Sequence, residues 1–134
     1  MTDRVLVWMV VEADGTVLLA RRKEDRPPFA GLWILPGDDM RYEESASETM
    51  ERVLKDHLDA SLFGDIFEAT INLTDGGVEY IANLFRVRLR GHPRYHAGGP
   101  YAEVAWADPK SLDGVTMPEP LREALGKLEE GSKT

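Results

Sequence analysis

A short apolar run that stops at a proline–glycine pair and leads into a capped amphipathic helix constrains the fold more than any other stretch of this sequence. Buried strands commonly end at such a pair, because proline and glycine favour turns. Ser45, followed three residues later by Glu48, is a capping-box signature for the start of a helix. Apolar residues then recur at helical spacing as far as Leu58. The segment predicts a strand, a polar loop and an amphipathic helix over Leu32–Leu35, Gly37–Glu44 and Ser45–Leu58.

The rest of the chain predicts strands separated by turns, and one closing helix. Asp14-Gly15 and Gly76-Gly77 provide the backbone conformations that hairpin turns require. The predicted strands are Arg4–Glu12, Val17–Arg21, Phe63–Leu73, Val78–Arg90 and Ala102–Ala107, with loops over 22–31 and 91–100, a helix over Pro118–Glu130 and a frayed tail over Gly131–Thr134. This order contains no regular βαβ series, so it predicts an α/β fold with a mixed sheet.

Length and charge narrow the classes of function. The chain has 134 residues, which fits one domain spanning residues 1–134. Its formal net charge of −8 repels a phosphate backbone, so long nucleic acid is not the expected partner. A small phosphorylated ligand needs only a local basic pocket and is compatible with this charge. There is no cysteine for disulfides, and no apolar run reaches membrane-spanning length. We therefore expect a cytoplasmic protein that does not bind membranes.

Three groups of residues together carry a resemblance to a known family. Trp33–Gly37 has the form of a lead-in strand and turn, seven residues separate Glu44 from Arg52, and Glu103 stands three residues before Trp106. These features resemble the Nudix hydrolase family, whose box is a loop–helix–loop reading Gly, five residues, Glu, seven residues, Arg-Glu, an aliphatic, any residue, Glu-Glu, any residue, Gly and an aliphatic. The resemblance covers nearly the whole chain. It implies a Nudix-type α/β/α sandwich with a mixed sheet, a central box helix and a C-terminal helix.

The box departs from the family pattern where the family holds its metal. Val53 replaces the Glu that follows the box Arg, and Asp56 and His57 replace the Glu-Glu pair. Asp38 stands where the box glycine belongs, directly after Gly37 in the sequence. GDP-mannose mannosyl hydrolases also lack the Glu after the box Arg, and they resemble this chain loosely in the segment that precedes the box. The resemblance to the family therefore includes a loose resemblance to that subgroup.

The resemblance implies metal-assisted cleavage of a nucleoside diphosphate linked to another moiety. Such a substrate is polyanionic, so attack by water needs cations that neutralise the developing charge. Positions 52, 53, 56 and 57 are expected to share one helix face, on which this chain offers one carboxylate, Asp56. The nitrogen of His57 suits Mn²⁺ or Zn²⁺ better than Mg²⁺. The resemblance thus implies a weak site for Mg²⁺ or Mn²⁺, formed by the Gly37 carbonyl, Glu44, Asp56 and His57.

Other polar residues complete the predicted site. Two basic residues leave the second strand toward the expected cleft, where basic side chains of the family often meet phosphate. Arg52 is expected to orient the carboxylates. The predicted catalytic residues are Glu44, Arg52 and Glu103. The predicted substrate-binding residues are Arg21, Arg22, Trp33 and His96.

Two hypotheses of function follow from these residues. The first is a divalent-metal-dependent Nudix-type hydrolase of small nucleotide-type substrates, weakened by its box. The second is a catalytically inactive Nudix-fold module that binds a ligand or another protein. Under the second hypothesis Glu44 and Arg52 form a structural ion pair, Asp56 is solvated, and His57 packs beside the apolar helix face. Many relatives dimerise, so a homodimer is a further prediction by analogy.

Overall fold

Strands and helices follow the predicted order along the chain. The structure, a computed structural model, describes residues 4–96 and 99–131, with the backbone alone for residues 129–131. The strands are β1 Arg4–Val10, β2 Glu12–Ala13, β3 Thr16–Arg22, β4 Trp33–Ile34, β5 Gly37–Asp39, β6 Ser61–Asp75, β7 Val78–Arg90 and β8 Tyr101–Ala107. The helices are α1 Ala46–Val53, which continues as a π-helical turn over Leu54–Leu58, and α2 Glu119–Gly131. The predicted tail residues 132–134 and loop residues 97–98 lie outside the described residues.

The strands form two four-stranded sheets. The first has the order β5-β1-β7-β6, in which β1 and β7 are parallel and the outer pairs are antiparallel. The second joins β2, β3 and β4, with β8 also paired to β3. The α/β fold with a mixed sheet is therefore confirmed. No helix among residues 4–96 and 99–131 is long and apolar enough to cross a membrane.

Side-chain alternation along β1 divides the interior into two clusters, because successive strand residues point to opposite faces. Leu6, Trp8 and Val10 belong to the cluster that includes residues of α2, and Val7, Met9 and Val11 belong to the cluster that includes residues of α1. The helical partners in the two clusters are Leu121 and Leu125 of α2 and Met50, Val53 and Leu54 of α1. The two helices thus lie on opposite faces of β1, which is the predicted sandwich arrangement.

The segment after Pro36 differs from the sequence expectation. Gly37–Glu44 was expected to be a polar loop, but Gly37–Asp39 forms β5 and pairs antiparallel with β1. A Cβ atom on Gly37 would lie 2.0 Å from the carbonyl oxygen of Val7, so only glycine allows the two backbones to approach this closely. The strand is short and polar, and it is stabilised by backbone pairing rather than by an apolar face.

The box helix begins with the predicted capping box. The Ser45 hydroxyl accepts from the Glu48 N–H at 3.1 Å, and the Glu48 carboxylate accepts from the Ser45 N–H at 3.0 Å. The helix ends at Asp59, which has a left-handed backbone with φ of 50°. A π-helical turn contains one extra residue relative to an α-helical turn, so the last turn does not keep the ideal α-helical spacing of side chains.

Removing the cap is expected to weaken the domain moderately. Ser45→Ala leaves an N–H group of the first helical turn without its acceptor, and we expect it to lower the free energy of unfolding by about 1 kcal/mol. Urea denaturation measures this change. Ser45→Asp keeps an acceptor at the same position and is the matched control, with an expected change of a few tenths of a kcal/mol. Equal destabilisation by both variants would contradict a capping role.

Candidate functional site

Arg52 connects the box helix to the loop that precedes it. Its Nε and Nη2 donate to the two carboxylate oxygens of Glu44, each at 2.9 Å. Its Nη1 donates to Asp38 Oδ2 at 2.9 Å, and Nη2 also donates to the Asp39 carbonyl at 3.1 Å. The side chains of Arg52 and Glu44 are only 14% and 15% exposed. We call Arg52, Glu44 and Asp38 the Arg52 clamp.

Glu44 is held as a carboxylate by several donors. Besides Arg52, the Thr49 hydroxyl donates to it at 2.7 Å and the Arg41 N–H at 3.1 Å. The hydrogen bonds from Arg52 hold the pKa of Glu44 well below its usual range, and those to Glu44 raise the pKa of Arg52. Both members of the pair are therefore charged at neutral pH, and the oxygens of Glu44 are already occupied by donors.

Tyr101, at the start of β8, connects the second sheet to Gly37. Its hydroxyl donates to the Gly37 carbonyl and accepts from the Gly37 N–H, both at 3.0 Å. Burial raises the pKa of Tyr101 to about 12, so the hydroxyl keeps its proton at neutral pH. The Gly37 carbonyl, a predicted metal ligand, is therefore engaged by this hydroxyl.

Positions 52, 53, 56 and 57, which are predicted to share one helix face, differ in burial. Val53 is 0% exposed and packs in the hydrophobic cluster that includes residues of α1, whereas Asp56 is exposed to solvent. The His57 ring lies 6.0 Å from the Tyr101 ring, edge to face, and burial lowers the pKa of His57. Val53 joins the apolar stripe of the helix, and the π-helical turn changes the spacing after it. The four side chains consequently lie in different environments.

Arg22 is a buried cation on which the charge of Asp38 acts. Its side chain is buried, and its guanidinium donates to the carbonyls of Arg26, Pro27 and Pro28 at 2.9–3.2 Å. Burial lowers the pKa of Arg22, while the charge of Asp38 raises it. Arg22 and Asp38 line the same small cavity, of about 20 Å³. The predicted substrate-binding residue Arg22 is thus adjacent to the Arg52 clamp.

Other predicted site residues lie apart from the clamp. Arg21 donates to Glu103 at 2.8 Å, as a cross-strand pair of β3 and β8 whose carboxylate is about half exposed. Trp33 is half-buried against the α2-side core. The His96 side chain is exposed, with Nε2 4.0 Å from Asp59 Oδ1. The roles proposed for these residues in catalysis and substrate binding stay predictions.

A divalent cation, which the family box implies, does not fit the donors that the described residues bring together. Mg²⁺ prefers several oxygen ligands in tight octahedral geometry. Here the two oxygens of Glu44 already accept four hydrogen bonds, three of them at Oε1, and Tyr101 donates to the Gly37 carbonyl. Within residues 4–96 and 99–131, no group of three His, Asp or Glu side chains is arranged to hold an ion. Asp56 is an exposed carboxylate whose charge acts on the neighbouring His57.

Two residues near the clamp were not selected from the sequence. Tyr101 immediately precedes the predicted last strand, and its position two residues before Glu103 places the two on the same side of a regular strand. Phe29 belongs to the polar loop between β3 and β4, yet it is 2% exposed. The alternation around Glu103 could have indicated Tyr101. Nothing local in the sequence distinguishes Phe29 from an exposed loop residue.

Comparison with known proteins agrees with this geometry. Residues 2–129 match the model of the NUDIX domain, which is nearly the whole chain. The chain therefore belongs to the Nudix family.

Relatives within the family are distant in sequence and close in fold. The chain is 24% identical to the nucleoside triphosphatase NudI of Enterobacter sp. strain 638, over 91% of this chain and 94% of that protein. A MutT Nudix hydrolase from Burkholderia pseudomallei superposes with a TM-score of 0.83 at 24% identity, covering 96% of this chain and 99% of the other. The Nudix domain of Shewanella oneidensis NrtR, complexed with ADP ribose, gives 0.77 at 18% identity, covering 98% and 90%. The Nudix-type sandwich predicted from the sequence is thereby confirmed.

Proposed function

We propose that this chain is a Nudix-fold binding domain for a small phosphorylated ligand of the nucleotide type, and that it binds this ligand without a divalent cation. The observation that carries the proposal is the Arg52 clamp, in which a guanidinium neutralises the acids that flank the box helix. Arg52 is thereby the cationic partner of Glu44. The ADP ribose complex of the NrtR domain supports nucleotide binding by this fold.

The charge distribution supports a phosphorylated ligand of small size. The net charge of −8 disfavours long nucleic acid, while Arg22 provides a local cation beside the clamp. Guanidinium groups bind phosphate through charge-assisted hydrogen bonds, which are stronger than neutral ones. A nucleoside diphosphate linked to another moiety combines such phosphates with an aromatic base, so we propose this ligand class. The cytoplasmic location, the homodimer and the GDP-mannose subgroup stay predictions.

Calorimetric titration with ADP-ribose tests the proposal. We expect binding in the presence of EDTA, at least about tenfold tighter than binding of adenosine, which lacks the phosphates; this ratio corresponds to about 1.4 kcal/mol. Arg88→Met removes a positive charge at an exposed position of β7, and we expect this variant to bind ADP-ribose as tightly as the wild type. Failure of ADP-ribose to bind in EDTA would overturn the proposal, whether or not it binds with Mg²⁺.

A second candidate function is metal-dependent hydrolysis. It is favoured by the relatives named nucleoside triphosphatase and by the exposed Asp56, the carboxylate that the box helix retains. Mg²⁺ or Mn²⁺ is the proposed cofactor, with Glu44, Arg52 and Glu103 as the proposed catalytic residues. Phosphate release from nucleoside triphosphates or ADP-ribose, measured with Mg²⁺, Mn²⁺ and Zn²⁺, distinguishes the candidates. Metal-dependent turnover that is lost in Asp56→Ala would establish hydrolysis, and no turnover with any of these metals would exclude it.

A further inference from the structure

The cleft beside the Arg52 clamp is almost completely filled by the protein itself. The cavity that reaches Asp38 has a volume of about 20 Å³ and is lined by Leu6, Trp8, Arg22, Phe29 and Ile34, among others. Sites for ligands of nucleotide size usually have volumes of roughly 300 Å³ or more. Cavities of about 490 and 520 Å³ lie on the β6–β7 ribbon, and no clamp residue lines them. The cavity that reaches Asp38 is therefore too small for a nucleotide in this conformation.

Phe29 lines this cavity and packs into the adjacent core. Its ring centroid lies 5.8 Å from that of Trp8, edge to face, and 5.4 Å from that of Tyr80. The ring is thus held in an aromatic slot, although Phe29 belongs to a connection whose residues Glu24–Pro27 are exposed. The backbone of Phe29 has a φ of 61°, a left-handed conformation that is uncommon for a bulky residue. The inward position of the ring is therefore imposed by its tertiary contacts.

Two anchors outside the aromatic slot hold the Phe29 segment in place. The Arg22 guanidinium binds the carbonyl oxygens of Arg26, Pro27 and Pro28. The Asp75 carboxylate, at the end of β6, accepts from the Phe29 N–H at 3.0 Å. The first anchor uses a cation that is chemically suited to phosphate. The second is remote from the clamp and can be removed without changing the slot.

We propose that Phe29 is a plug, which a ligand displaces in order to bind beside the Arg52 clamp. When the segment moves outward, the slot formed by Trp8 and Tyr80 becomes available to the planar ring of a nucleotide. Arg22 then exchanges its three carbonyl partners for phosphate oxygens. This inference rests on the proposed function and adds that the site is closed by a segment of the same chain. It also assigns Trp8 and Tyr80 to recognition of the aromatic base.

Closure by the plug lowers the apparent affinity for the ligand. When only a fraction of the protein is open, the apparent dissociation constant equals the intrinsic constant divided by that fraction. Weakening an anchor raises the open fraction and therefore tightens binding, although it removes a contact of the free protein. If the Phe29 segment were an ordinary structural loop, weakening its anchor would disturb the site and therefore weaken ligand binding.

The first test removes the remote anchor. We expect Asp75→Ala to lower the dissociation constant for ADP-ribose at least threefold in calorimetric titration. Glu79→Ala removes an exposed carboxylate from the same hairpin and is the matched control, with an unchanged constant. Hydrogen exchange of the peptide that contains Phe29 should be faster in Asp75→Ala than in the control without ligand. Equal or weaker ADP-ribose binding by a folded Asp75→Ala protein would overturn the plug.

A second variant separates the plug from the proposed function. Phe29→Ala leaves a cavity lined by aromatic and aliphatic side chains, and such cavities bind benzene. We expect benzene to raise the thermal midpoint of Phe29→Ala and to leave that of the wild type unchanged. No benzene binding by folded Phe29→Ala would contradict the slot. If ADP-ribose binds to none of the proteins, the proposed function fails, whereas benzene binding to Phe29→Ala would still support a slot filled by the plug.

Discussion

Replacement of Val53 by glutamate, the residue that the family box carries here, is expected to destabilise the domain by about 3 kcal/mol or more, because it places an ionisable group in a fully buried apolar position. Val53 is 0% exposed and packs in the cluster that includes Met50 and Leu54. A carboxylate in this environment has no partner, so its pKa should rise. The destabilisation should therefore decrease as the pH falls and the introduced carboxyl takes up a proton.

Urea denaturation at pH 7 and pH 5, with and without Mg²⁺, measures the effect of Val53→Glu. Val53→Ala is the control for lost packing and should cost about 2 kcal/mol without pH dependence. Asp56→Glu restores a family carboxylate at an exposed position and should change stability by less than about 0.5 kcal/mol. A Val53→Glu protein as stable as the wild type, and further stabilised by Mg²⁺, would show that position 53 can still face a metal site.

Replacement of Arg52 by methionine is expected to lower stability at neutral pH and to remove part of the acid dependence of unfolding. Methionine fills much of the same volume but leaves the carboxylates of Glu44 and Asp38 without their common donor. The change should exceed that of Arg21→Met, which breaks an exposed pair with Glu103 and should cost about 1 kcal/mol or less. Urea denaturation of the three proteins from about pH 2 to about pH 8, a range that extends well below the ordinary pKa of Glu44, measures both effects.

The pH dependence follows from the pKa shifts in the clamp. Arg52 depresses the pKa of Glu44 below its ordinary value of 4.5, and a depressed carboxylate contributes stability that is present above that value and lost as the pH falls through the folded-state pKa. The raised pKa of Arg52 makes its contribution constant through the acid and neutral range, with loss only at strongly alkaline pH. The stability difference between wild type and Arg52→Met should thus shrink below about pH 4.5. A difference independent of pH would exclude Glu44 as the main partner.

Local signals in the sequence predicted the parts of the site that depend on local structure. The capping box of Ser45 and Glu48 involves residues three apart, so it can be read directly, and the spacing of Glu44 and Arg52 led to the ion pair that the structure contains. The Gly76-Gly77 turn likewise indicated the β6–β7 hairpin. The hairpin predicted around Asp14-Gly15 is confirmed only for Glu12 and Ala13, because the rest of the predicted first strand is β1, which pairs in the other sheet. In each case the contact is made by nearby residues whose geometry is fixed by the backbone between them.

Contacts between distant segments could not be predicted from the sequence. β5 pairs through backbone groups, and a polar sequence gives no signal for such pairing. The orientation of Val53 and Asp56 depends on a π-helical turn, which ideal helical spacing does not anticipate. Phe29 is buried because Trp8 and Tyr80, from two other strands, form its slot. These features arise from tertiary packing, so they determine how the side chains of the site are arranged, while the predicted fold class is unchanged.

The close approach of β5 to β1 at Gly37 restricts which residues this position can accept, whereas exposed residues of the box helix can be exchanged more freely. A side chain at position 37 would collide with the Val7 carbonyl and with Trp8, so divergence at this position is blocked by the backbone itself. Positions 56 and 57 of the helix are exposed or partly exposed and carry no such backbone restriction, so aspartate and histidine are accommodated there. A lineage can therefore lose catalytic groups one at a time while inheriting an intact framework. Members of the Nudix family that keep the fold but have a different function are therefore expected.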